Sequence, residues 1–505
     1  MAATDKIRPL PELAKLVEGL HREGKRVVLC HGCFDLLHIG HLRYLQKAAR
    51  LGDVLVVTVT PDRFVNKGPH RPAFPEEYRA EALASLTCVD YVAINETPTA
   101  VELLELLKPD IYAKGAEYRE NRTPEIQREE AALAATGGEM AYIEEVTSSS
   151  TELINRHLSP FPDTTTQYLA HMAEQYGPGP ILDCLERCSQ TRVLVLGEVR
   201  IEEYCYCESL QRSAKAPLVA MRYLSEERFA MGAPAVANYL AEFCGEVRLL
   251  GMLGADNPQE EWVRSQLSPG VEPVFLHKPS APTITKRRYL EAYFGQPLFE
   301  LFNMNDEPLD EEAEGVLCEQ VREFAPAYDL VVVADYGLGM LTDRAVEVLA
   351  DQARFLAVSP QVNAGNFGYQ AFTKYPRADY ACLAEQEMRL EYRTRSGDLT
   401  PLLADLGRRL QAKRVVVTRG KHGALAWSPE AGVHEAPSLA VRVTDRMGGG
   451  DAFFALSSLC AYQEAPLEIM AFVGNVAAAE VIASMGARAS LEKLPLRRHI
   501  ESLLK

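Results

Sequence analysis

Short apolar runs rich in β-branched residues alternate with amphipathic segments along this chain, in two separate series. The first series contains RVVLC, DVLVVTVT, VDYVAI, DIYAKG and MAYIEE, and the second runs from RVLVLGEV through YDLVVVADYG to RVVVTRG. Strands that alternate with helices form parallel sheets with helices on both faces. The pattern therefore predicts an α/β protein with two doubly wound domains.

The segment between the two series has a different composition. It contains LSPFPDTTTQ and QYGPGPILD, which are rich in Pro, Gly and Thr and typical of a linker that carries a short helix. A chain of 505 residues also exceeds the length of one ordinary domain. We therefore expect a first domain over residues 1–157, a linker over residues 158–190 and a second domain over residues 191–505.

Composition excludes several classes of protein. A net charge of −17 argues against a surface that coats nucleic acid. No apolar run reaches transmembrane length, and the opening MAATDKIRPL lacks the apolar region of a signal peptide. Eleven cysteines without a framework spacing indicate reduced thiols. We expect a cytoplasmic protein that binds small molecules, with neither nucleic acid nor membrane as a partner.

The stretch CHGCFDLLHIGH contains two cysteines and three histidines between Cys30 and His41. The Cys30-x-x-Cys33 spacing also occurs in zinc sites, but structural zinc usually needs four ligands, and no second pair follows in the first series. A cysteine buried in the preceding strand is the better interpretation of Cys30. We therefore predict no metal site here.

The motif His38-Ile39-Gly40-His41 favours a phosphate site instead. It opens a predicted helix, whose positive N-terminal end attracts anions. Gly40 leaves room for a close ligand, and two imidazoles can stabilise charge that develops on phosphorus. Further candidates for phosphate binding are Lys67 in a loop, Lys114 and Gly115 at the end of a strand, and Ser149, Ser150 and Thr151 before a helix.

Taken together, the motifs of the first domain point to a family. GKRVVLCHGCFDLLHIGHLRYLQKAARLGDVLVV, NKGPHRP, KPDIYAKGAEY and SSST resemble the transferase domain of bifunctional heptose 7-phosphate kinase/heptose 1-phosphate nucleotidyltransferases over nearly all of residues 5–157. The resemblance implies a Rossmann-like domain in which a sugar 1-phosphate attacks the α-phosphorus of an NTP and pyrophosphate leaves. It also implies Mg²⁺ on the triphosphate. It favours ATP as the donor and leaves CTP open.

The same resemblance implies roles for individual residues. His38 and His41 would stabilise the transition state, and Lys67 would hold phosphates together with the loop of Ser149, Ser150 and Thr151. Nucleotide contacts are implied for Gly32, Phe34 and Gly40, and a substrate contact for Asp35. One departure is His31, which stands where the heptose enzymes usually carry Asn.

The second domain resembles a ribokinase-like sugar kinase over about residues 191–494. The resemblance rests on GGGDAFFALSSL, VVVTRGKHGALAW and GNVAAAEVIASMGA. It implies that Asp451 is the base for a sugar hydroxyl. The implied nucleotide contacts are Thr418, Gly420, Gly448, Gly449, Gly450 and Asn475, and the implied substrate contacts are Glu198 and Glu387. The transferase comes first, so the domain order is swapped relative to the bifunctional enzymes. We also expect the protein to form a homodimer.

Several kinase motifs depart from the family pattern on the ligand side. Ala235 and Ala384 stand where Asn is expected, Leu338 replaces a cation, and Ser359-Pro360-Gln361 replaces DPK. Two interpretations stay open. In one, an active sugar-phosphate kinase has an altered pocket. In the other, only the first domain catalyses, and the second is a binding, regulatory or dimerising module.

Overall fold

Two α/β units, Met1–Pro160 and Phe161–Leu504, make up the chain in its computed structural model. The structure describes residues 3–65, 72–120, 124–143, 160–212, 218–293, 295–486 and 491–505. Among these residues, no helix combines the length and apolar character needed to cross a membrane.

The first unit contains a five-stranded parallel sheet. Its strands are β1 (Val27–Gly32), β2 (Val54–Val59), β3 (Tyr91–Ile94), β4 (Ile111–Gly115) and β5 (Glu139–Ile143). Its helices are α1 (Ala3–Lys6), α2 (Leu10–Arg22), α3 (Ile39–Ala48), α4 (Glu76–Ala84), α5 (Val101–Leu107), α6 (Glu117–Glu120) and α7 (Pro124–Ala135), with a 3₁₀ turn at Asp62–Phe64. The strand order is β3-β2-β1-β4-β5, and every neighbouring pair is parallel.

Alternating residues of β1 divide between two cores because successive strand side chains point to opposite faces of the sheet. Val28 and Cys30 pack with Leu45 of α3, while Leu29 packs with Leu13 of α2 on the other face. The apolar run of β1 is continuous because the strand is buried on both faces of the sheet, as predicted for a doubly wound sheet.

The second unit contains a larger mixed sheet. Its strands are β6 (Arg192–Arg212), β7 (Val219–Gly232), β8 (Glu246–Gly254), β9 (Val271–Lys278), β10 (Thr285–Glu291), β11 (Gln296–Asn303), β12 (Leu330–Asp335), β13 (Leu356–Pro360), β14 (Tyr380–Ala384), β15 (Arg414–Thr418), β16 (Ala424–Ser428) and β17 (Gly432–Ala436). Its helices are α8 (Asp163–Gln175), α9 (Pro178–Glu186), α10 (Ala233–Ala241), α11 (Glu260–Ser265), α12 (Glu311–Phe324), α13 (Asp343–Gln352), α14 (Glu385–Glu391), α15 (Thr400–Arg409), α16 (Gly449–Tyr462), α17 (Leu467–Ile482) and α18 (Lys493–Leu503). Short 3₁₀ turns lie at Arg187–Gln190, Ala325–Ala327, Phe372–Lys374 and Gly420–His422.

The long strand β6 takes part in two pairing arrangements. Its first part pairs in parallel with β8 and β12, which belong to the central sheet. Its continuation pairs with β7 in an antiparallel and with β10 in a parallel arrangement. The central strands β12 to β15 are parallel, with helices packed against them, so the α/β prediction is confirmed for this unit as well.

The segment predicted as a linker, residues 158–190, has more structure than its composition indicates. It contains α8 and α9, whose buried residues Leu169, Met172, Ile181 and Leu185 join the core of the second unit. Pro and Gly occur at the starts of these helices, where proline is tolerated because the first helical N–H groups need no partner. These turn-forming residues therefore mark helix starts inside the second unit.

The separate hydrophobic cores lead to a prediction about folding. Residues 1–160 expressed alone should remain soluble and unfold cooperatively, because both faces of their sheet are covered by helices of the same segment. Circular dichroism during urea denaturation would measure this, with the full chain as the control. An insoluble fragment would show that the first unit requires residues beyond 160.

Candidate functional site

The first candidate site lies at the carboxyl edge of the five-stranded sheet. β1 ends at Gly32 and its neighbour β4 ends at Gly115, and the strand order reverses between these two strands. Ligands of doubly wound sheets bind outside the carboxyl ends of the strands at such a reversal. The fold therefore brings the segments that follow Gly32 and Gly115 to the edge where ligands bind.

Two histidines stand together at the start of α3. The ring centroids of His38 and His41 are 4.1 Å apart, with 39° between the ring planes. His38 caps the helix, because its Nδ1 accepts the backbone N–H of Gly40 at 3.1 Å. An imidazole that accepts at Nδ1 carries its proton on Nε2 when it is neutral. The Nε2 atom of His38 is buried and has no hydrogen-bond partner among the described residues.

Burial lowers the pKa of His38, so its ring is neutral at neutral pH. A neutral ring with a proton on Nε2 can donate a hydrogen bond to a phosphate oxygen. The N-terminal end of α3 adds positive electrostatic potential at the same place. This geometry is compatible with phosphate binding at His38, which stays a prediction for the motif.

The residues after β1 include an aromatic ring that contacts one of these histidines. Phe34 has a positive φ of 47°, and its ring meets that of His41 edge to face with centroids 5.5 Å apart. A Cβ on Gly32 would lie 3.2 Å from the Phe34 ring, so Gly32 leaves the space that this ring fills. Phe34 is thus placed to orient His41.

Asp35 is buried, and its carboxylate accepts two backbone N–H groups of the segment before α4, at 2.6 and 3.2 Å. Its observed contacts hold that segment in place. Asp35 was predicted to contact the substrate. With these two hydrogen bonds in place, it would act on the substrate either by positioning the segment before α4 or through a lone pair that the two bonds do not use.

Arg79 of α4 is an important residue that the sequence analysis missed. Its guanidinium is fully buried and binds the chain on three sides. It donates to the carbonyls of Cys33, Thr60 and Phe74 and pairs with Asp62 at 2.5 Å. It thereby ties the turn after β1 to the turn after β2. In the sequence, an arginine of an amphipathic helix is expected to point into solvent, so no pattern indicated that Arg79 is buried.

Lys114 lies at the predicted position at the end of β4, but its ammonium already has partners. Its Nζ lies 2.9 Å from a carboxylate oxygen of Glu129 on α7. It also lies 4.9 Å from the ring centroid of Tyr112 and 5.2 Å from that of Tyr118. A ligand phosphate at Lys114 would compete with Glu129 for this charge.

His31, the departure from the family pattern, is held between two threonines of the β2 region. Its Nδ1 lies 3.0 Å from the hydroxyl of Thr58, and its Nε2 lies 3.3 Å from that of Thr60. Burial and the nearby charge of Lys114 lower the pKa of His31 to about 3, so the ring stays neutral. Both ring nitrogens are thus used within the protein.

Four predicted phosphate ligands, Lys67, Ser149, Ser150 and Thr151, lie outside the described residues. Cys30 is buried in β1, and burial raises its pKa to about 12, which disfavours the thiolate that zinc requires. β1 itself continues beyond Cys30 to Gly32. Within the described ranges, no group of three or more His, Cys, Asp or Glu side chains is placed to hold a metal ion.

The second candidate site surrounds Asp451 in the first turn of α16. Gly448 precedes the helix with a φ of 76°, and a Cβ there would lie 3.2 Å from Met231. A Cβ on Gly449 would lie 2.6 Å from Ile482, whereas one on Gly450 would meet nothing within 4 Å. The first two glycines are therefore required by the packing, and Gly450 leaves bare backbone beside open space.

One oxygen of the Asp451 carboxylate accepts hydrogen bonds from two neighbouring side chains. Its Oδ1 accepts the hydroxyl of Tyr336 at 2.9 Å and the amide of Gln361 at 2.7 Å. Arg200 lies 4.5 Å from the centroid of the Tyr336 ring, and its Nε lies 2.9 Å from a carboxylate oxygen of Glu202. Burial raises the pKa of Asp451, while Arg200 and the two hydrogen bonds oppose that rise.

Glu198 and Glu387 both use their carboxylates to hold backbone. Glu198 is fully buried and accepts the N–H groups of Tyr336 and Leu338 at 3.0 and 3.1 Å, so it fixes the loop after β12. Glu387 accepts the N–H groups of Val362 and Ala384 at 2.9 and 2.6 Å. Burial raises the pKa of Glu387 to about 7. The observed contacts of both residues are structural.

The predicted nucleotide residues are divided between two places. Thr418 and Gly420 line a cleft of about 760 Å³ together with Ala384 and residues of α14. Asn475 is buried in α17 and donates its side-chain amide to the carbonyl of Pro437 at 3.1 Å. Asn475 therefore anchors the chain that follows β17.

The carboxylates of the second site fit Mg²⁺ that arrives with a nucleotide better than a resident ion. Mg²⁺ usually keeps several waters and binds through substrate phosphates and one or two carboxylates. Asp451 and Glu387 each accept two hydrogen bonds from the protein. Their remaining lone pairs suit one or two contacts to a nucleotide-bound ion.

Comparison with known proteins identifies relatives of both units. The pfkB family of carbohydrate kinases matches residues 190–494, and a cytidylyltransferase-like model matches residues 29–156. The bifunctional protein HldE of Syntrophotalea carbinolica is 44% identical over 156 residues, which cover 30% of this chain and 31% of that protein. The HldE protein of Nitratiruptor sp. is 50% identical over 115 residues, covering 22% and 25%. The chain thus matches less than a third of the length of these curated relatives.

A solved structure supports the fold of the second unit. The tetrameric inhibited form of phosphofructokinase-2 from Escherichia coli superposes with a TM-score of 0.52 and 15% identity. The superposition covers 63% of this chain and 100% of that chain. At this identity the similarity shows a shared fold. It confirms the ribokinase-like architecture predicted for the second domain.

The paired imidazoles lead to a prediction about catalysis. Replacing His38 or His41 by Ala should lower kcat for pyrophosphate release by about a hundredfold or more, because donors to the developing charge are lost. Cys33→Ser is the matched control and should retain nearly full activity. Equal activity of all three variants would contradict the assigned role of the histidines.

The buried guanidinium leads to a prediction about stability. Arg79→Met should lower the free energy of unfolding of the first unit by about 3 kcal/mol, because carbonyl acceptors and Asp62 lose a charged donor. Arg63→Ala is the control. Its guanidinium makes an exposed bond to the carbonyl of Glu96, so a change within about 0.5 kcal/mol is expected. Urea denaturation measures both, and equal losses would refute the role of Arg79.

Proposed function

The chain belongs to the pfkB family of carbohydrate kinases, and on that premise we propose that it joins two reactions of sugar phosphates in one protein. The first unit transfers NMP from an NTP to a sugar 1-phosphate of the heptose type. A phosphate oxygen of the sugar attacks the α-phosphorus, the bond to the β-phosphate oxygen breaks, and pyrophosphate leaves. ATP is the favoured donor, and CTP is the alternative.

The observation that carries this proposal is the geometry of His38 and His41 at the start of α3. His38 offers a buried N–H at Nε2, with its pKa lowered by burial, beside a second imidazole 4.1 Å away. Donors fixed in place before the reaction stabilise charge in the transition state without reorganising. Mg²⁺ bound to the triphosphate would supply further neutralisation of charge. The cytidylyltransferase-like match over residues 29–156 supports the same reaction class.

A direct assay tests the nucleotidyl transfer. Pyrophosphate release would be measured for four NTPs, each with a panel of sugar 1-phosphates. We expect one purine or pyrimidine nucleotide to be preferred and turnover to require the sugar 1-phosphate. Pyrophosphate release that is independent of any sugar 1-phosphate would overturn the proposal.

For the second unit we propose phosphorylation of a sugar phosphate, with Asp451 as the base. Its position in the first turn of α16, after a run of glycines, supports this role, since Gly450 leaves backbone open to a phosphoryl group. Tyr336 and Gln361 both donate to Oδ1 of Asp451, so the sugar hydroxyl would give its proton to Oδ2.

The hydrogen bonds of Asp451 also favour a second candidate function. Tyr336 and Gln361 both donate to Oδ1 of Asp451, and the Arg200 guanidinium lies over the ring of Tyr336. A base whose oxygen accepts two hydrogen bonds from the protein is a weaker acceptor for a substrate proton. In this candidate the second unit binds a ligand without transferring phosphate, and the first unit alone catalyses.

A substitution distinguishes the two candidates. If the second unit is a kinase, Asp451→Asn should lower ATP-dependent phosphorylation by about a thousandfold, because the base is lost. Pyrophosphate release by the first unit is the internal control and should not change. ADP formation across a panel of sugar phosphates measures the effect. If wild type and variant form no ADP above background, the binding function is the correct one.

A further inference from the structure

His31 and two threonines form a hydrogen-bonded group at the carboxyl edge of the first sheet. His31 precedes Gly32, the last residue of β1, while Thr58 lies near the end of β2 and Thr60 directly follows that strand. Nδ1 of His31 lies 3.0 Å from the hydroxyl of Thr58, and Nε2 lies 3.3 Å from that of Thr60. The group therefore stands at the edge where ligands of a doubly wound sheet bind.

The turn that begins at Thr60 is fastened to the turn after β1. The backbone N–H of Thr60 donates to the carbonyl of Gly32 at 3.0 Å. The buried guanidinium of Arg79 donates to the carbonyl of Thr60 at 2.9 Å and also to that of Cys33. Thr60 is therefore held beside the residues that lead from β1 to His38.

The two threonines differ in their access to solvent. Thr58 is fully buried, and its hydroxyl also lies 3.5 Å from the carbonyl oxygen of Cys30. Thr60 and His31 are only half-buried at the end of the sheet. The hydroxyl of Thr60 is therefore the threonine hydroxyl of this group that a ligand can reach.

His31 fixes the direction of the Thr60 hydroxyl. A neutral imidazole has one donor nitrogen and one acceptor nitrogen, and here the two nitrogens face the two threonine hydroxyls. In either tautomer Thr60 makes one hydrogen bond to the ring and keeps the capacity for a further one. A ligand hydroxyl both donates and accepts, so it complements Thr60 whichever tautomer is present.

The charges around this group disfavour a phosphate as its ligand. Burial and the nearby charge of Lys114 lower the pKa of His31 to about 3, so the ring brings no positive charge. Arg79 balances the charge of Asp62 at 2.5 Å. The carboxylate of Glu76, which accepts the backbone N–H of Asp62 at 2.5 Å, adds a negative charge beside them. An uncharged polar group suits these surroundings better than an anion, because like charges repel.

We propose that the hydroxyl of Thr60, held in position by His31, binds a hydroxyl group of a sugar ring in a substrate of the first unit. The inference rests on the proposed nucleotidyl transfer. It goes further by naming a residue that recognises the sugar part of a substrate and the positioning residue behind it. Two sources have the required chemistry, the ring of the acceptor sugar 1-phosphate and the ribose of the NTP.

Substitutions of Thr60 in the full chain test the contact, with KM measured separately for the NTP and the sugar 1-phosphate. Thr60→Val removes the hydroxyl at similar volume and should raise one of the two KM values about tenfold, with kcat within about twofold, as expected for a neutral hydrogen bond made equally before and during the reaction. A rise confined to the sugar 1-phosphate identifies the acceptor ring, and a rise confined to the NTP identifies the ribose.

Two further variants serve as controls. Thr60→Ser keeps the hydroxyl and should keep both KM values close to those of the wild type. Thr136→Val removes another half-buried hydroxyl, which donates to the carbonyl of Leu133 after α7, at the opposite edge of the sheet. It should change neither KM.

Substitutions of His31 test its positioning role. His31→Phe keeps a ring but removes both nitrogens, so it should raise the same KM as Thr60→Val. His31→Gln supplies an amide that can hydrogen-bond to Thr60, and it should recover most of that loss. Nitrogen-15 NMR of the full chain with labelled histidine, compared with His31→Gln to identify the signal, should show a neutral His31 ring between about pH 5 and pH 8, where an unperturbed histidine titrates.

Unchanged KM values for both substrates in Thr60→Val would overturn the inference, and so would a His31 ring that gains a proton within that pH range. If the wild type releases no pyrophosphate with any pair of substrates, the proposed nucleotidyl transfer fails. Calorimetry of the wild type and Thr60→Val with ATP, CTP and a panel of sugar 1-phosphates then decides the inference alone. Weaker binding of one of these compounds by the variant supports it, and equal or absent binding refutes it.

Discussion

Parallel pairing of neighbouring strands determines where ligands can meet each sheet of this protein. β1 and β4 end at the same edge of the first sheet, and β14 and β15 end at the same edge of the second. Since successive parallel strands place their carboxyl ends together, segments far apart in sequence converge at these edges. The paired histidines and the cleft at Thr418 and Gly420 both depend on this constraint. The helices on either face connect the parallel strands and bury the apolar side chains of the sheets.

Hydrogen bonds from buried side chains to backbone then position the reactive groups. Arg79 and Asp35 hold the turns around β1 and the segment before α4, and Glu198 holds the loop after β12. None of these contacts requires a ligand. They show how a polar group near a site can be important by fixing the geometry of others, because an unsatisfied buried charge would be expensive. Asp35 and Glu198 resemble substrate contacts in the sequence, but in the fold their observed contacts hold backbone, as those of Arg79 do.

The two units use burial in opposite ways. In the first, burial lowers the pKa of His38 and leaves a neutral donor for phosphate. In the second, burial raises the pKa of Asp451, and Tyr336 and Gln361 occupy one of its oxygens. The first arrangement prepares a group for an anionic ligand, whereas the second satisfies a group internally. This contrast is why the geometry supports nucleotidyl transfer more directly than phosphoryl transfer.

The sequence by itself determined the two α/β units and the histidine motif of the first, because strand and helix periodicity and a helix-opening HxGH are local patterns. It also placed Lys114, Gly115 and Asp451 correctly at a strand end and a helix start. Only the tertiary structure decided which groups these side chains contact. Lys114 pairs with Glu129, and Asp451 accepts hydrogen bonds from Tyr336 and Gln361. It also placed α8 and α9 in the core of the second unit, where a linker was expected. The physical reason is that an ion pair or a packed face joins residues distant in sequence. Local composition carries no record of such a partner.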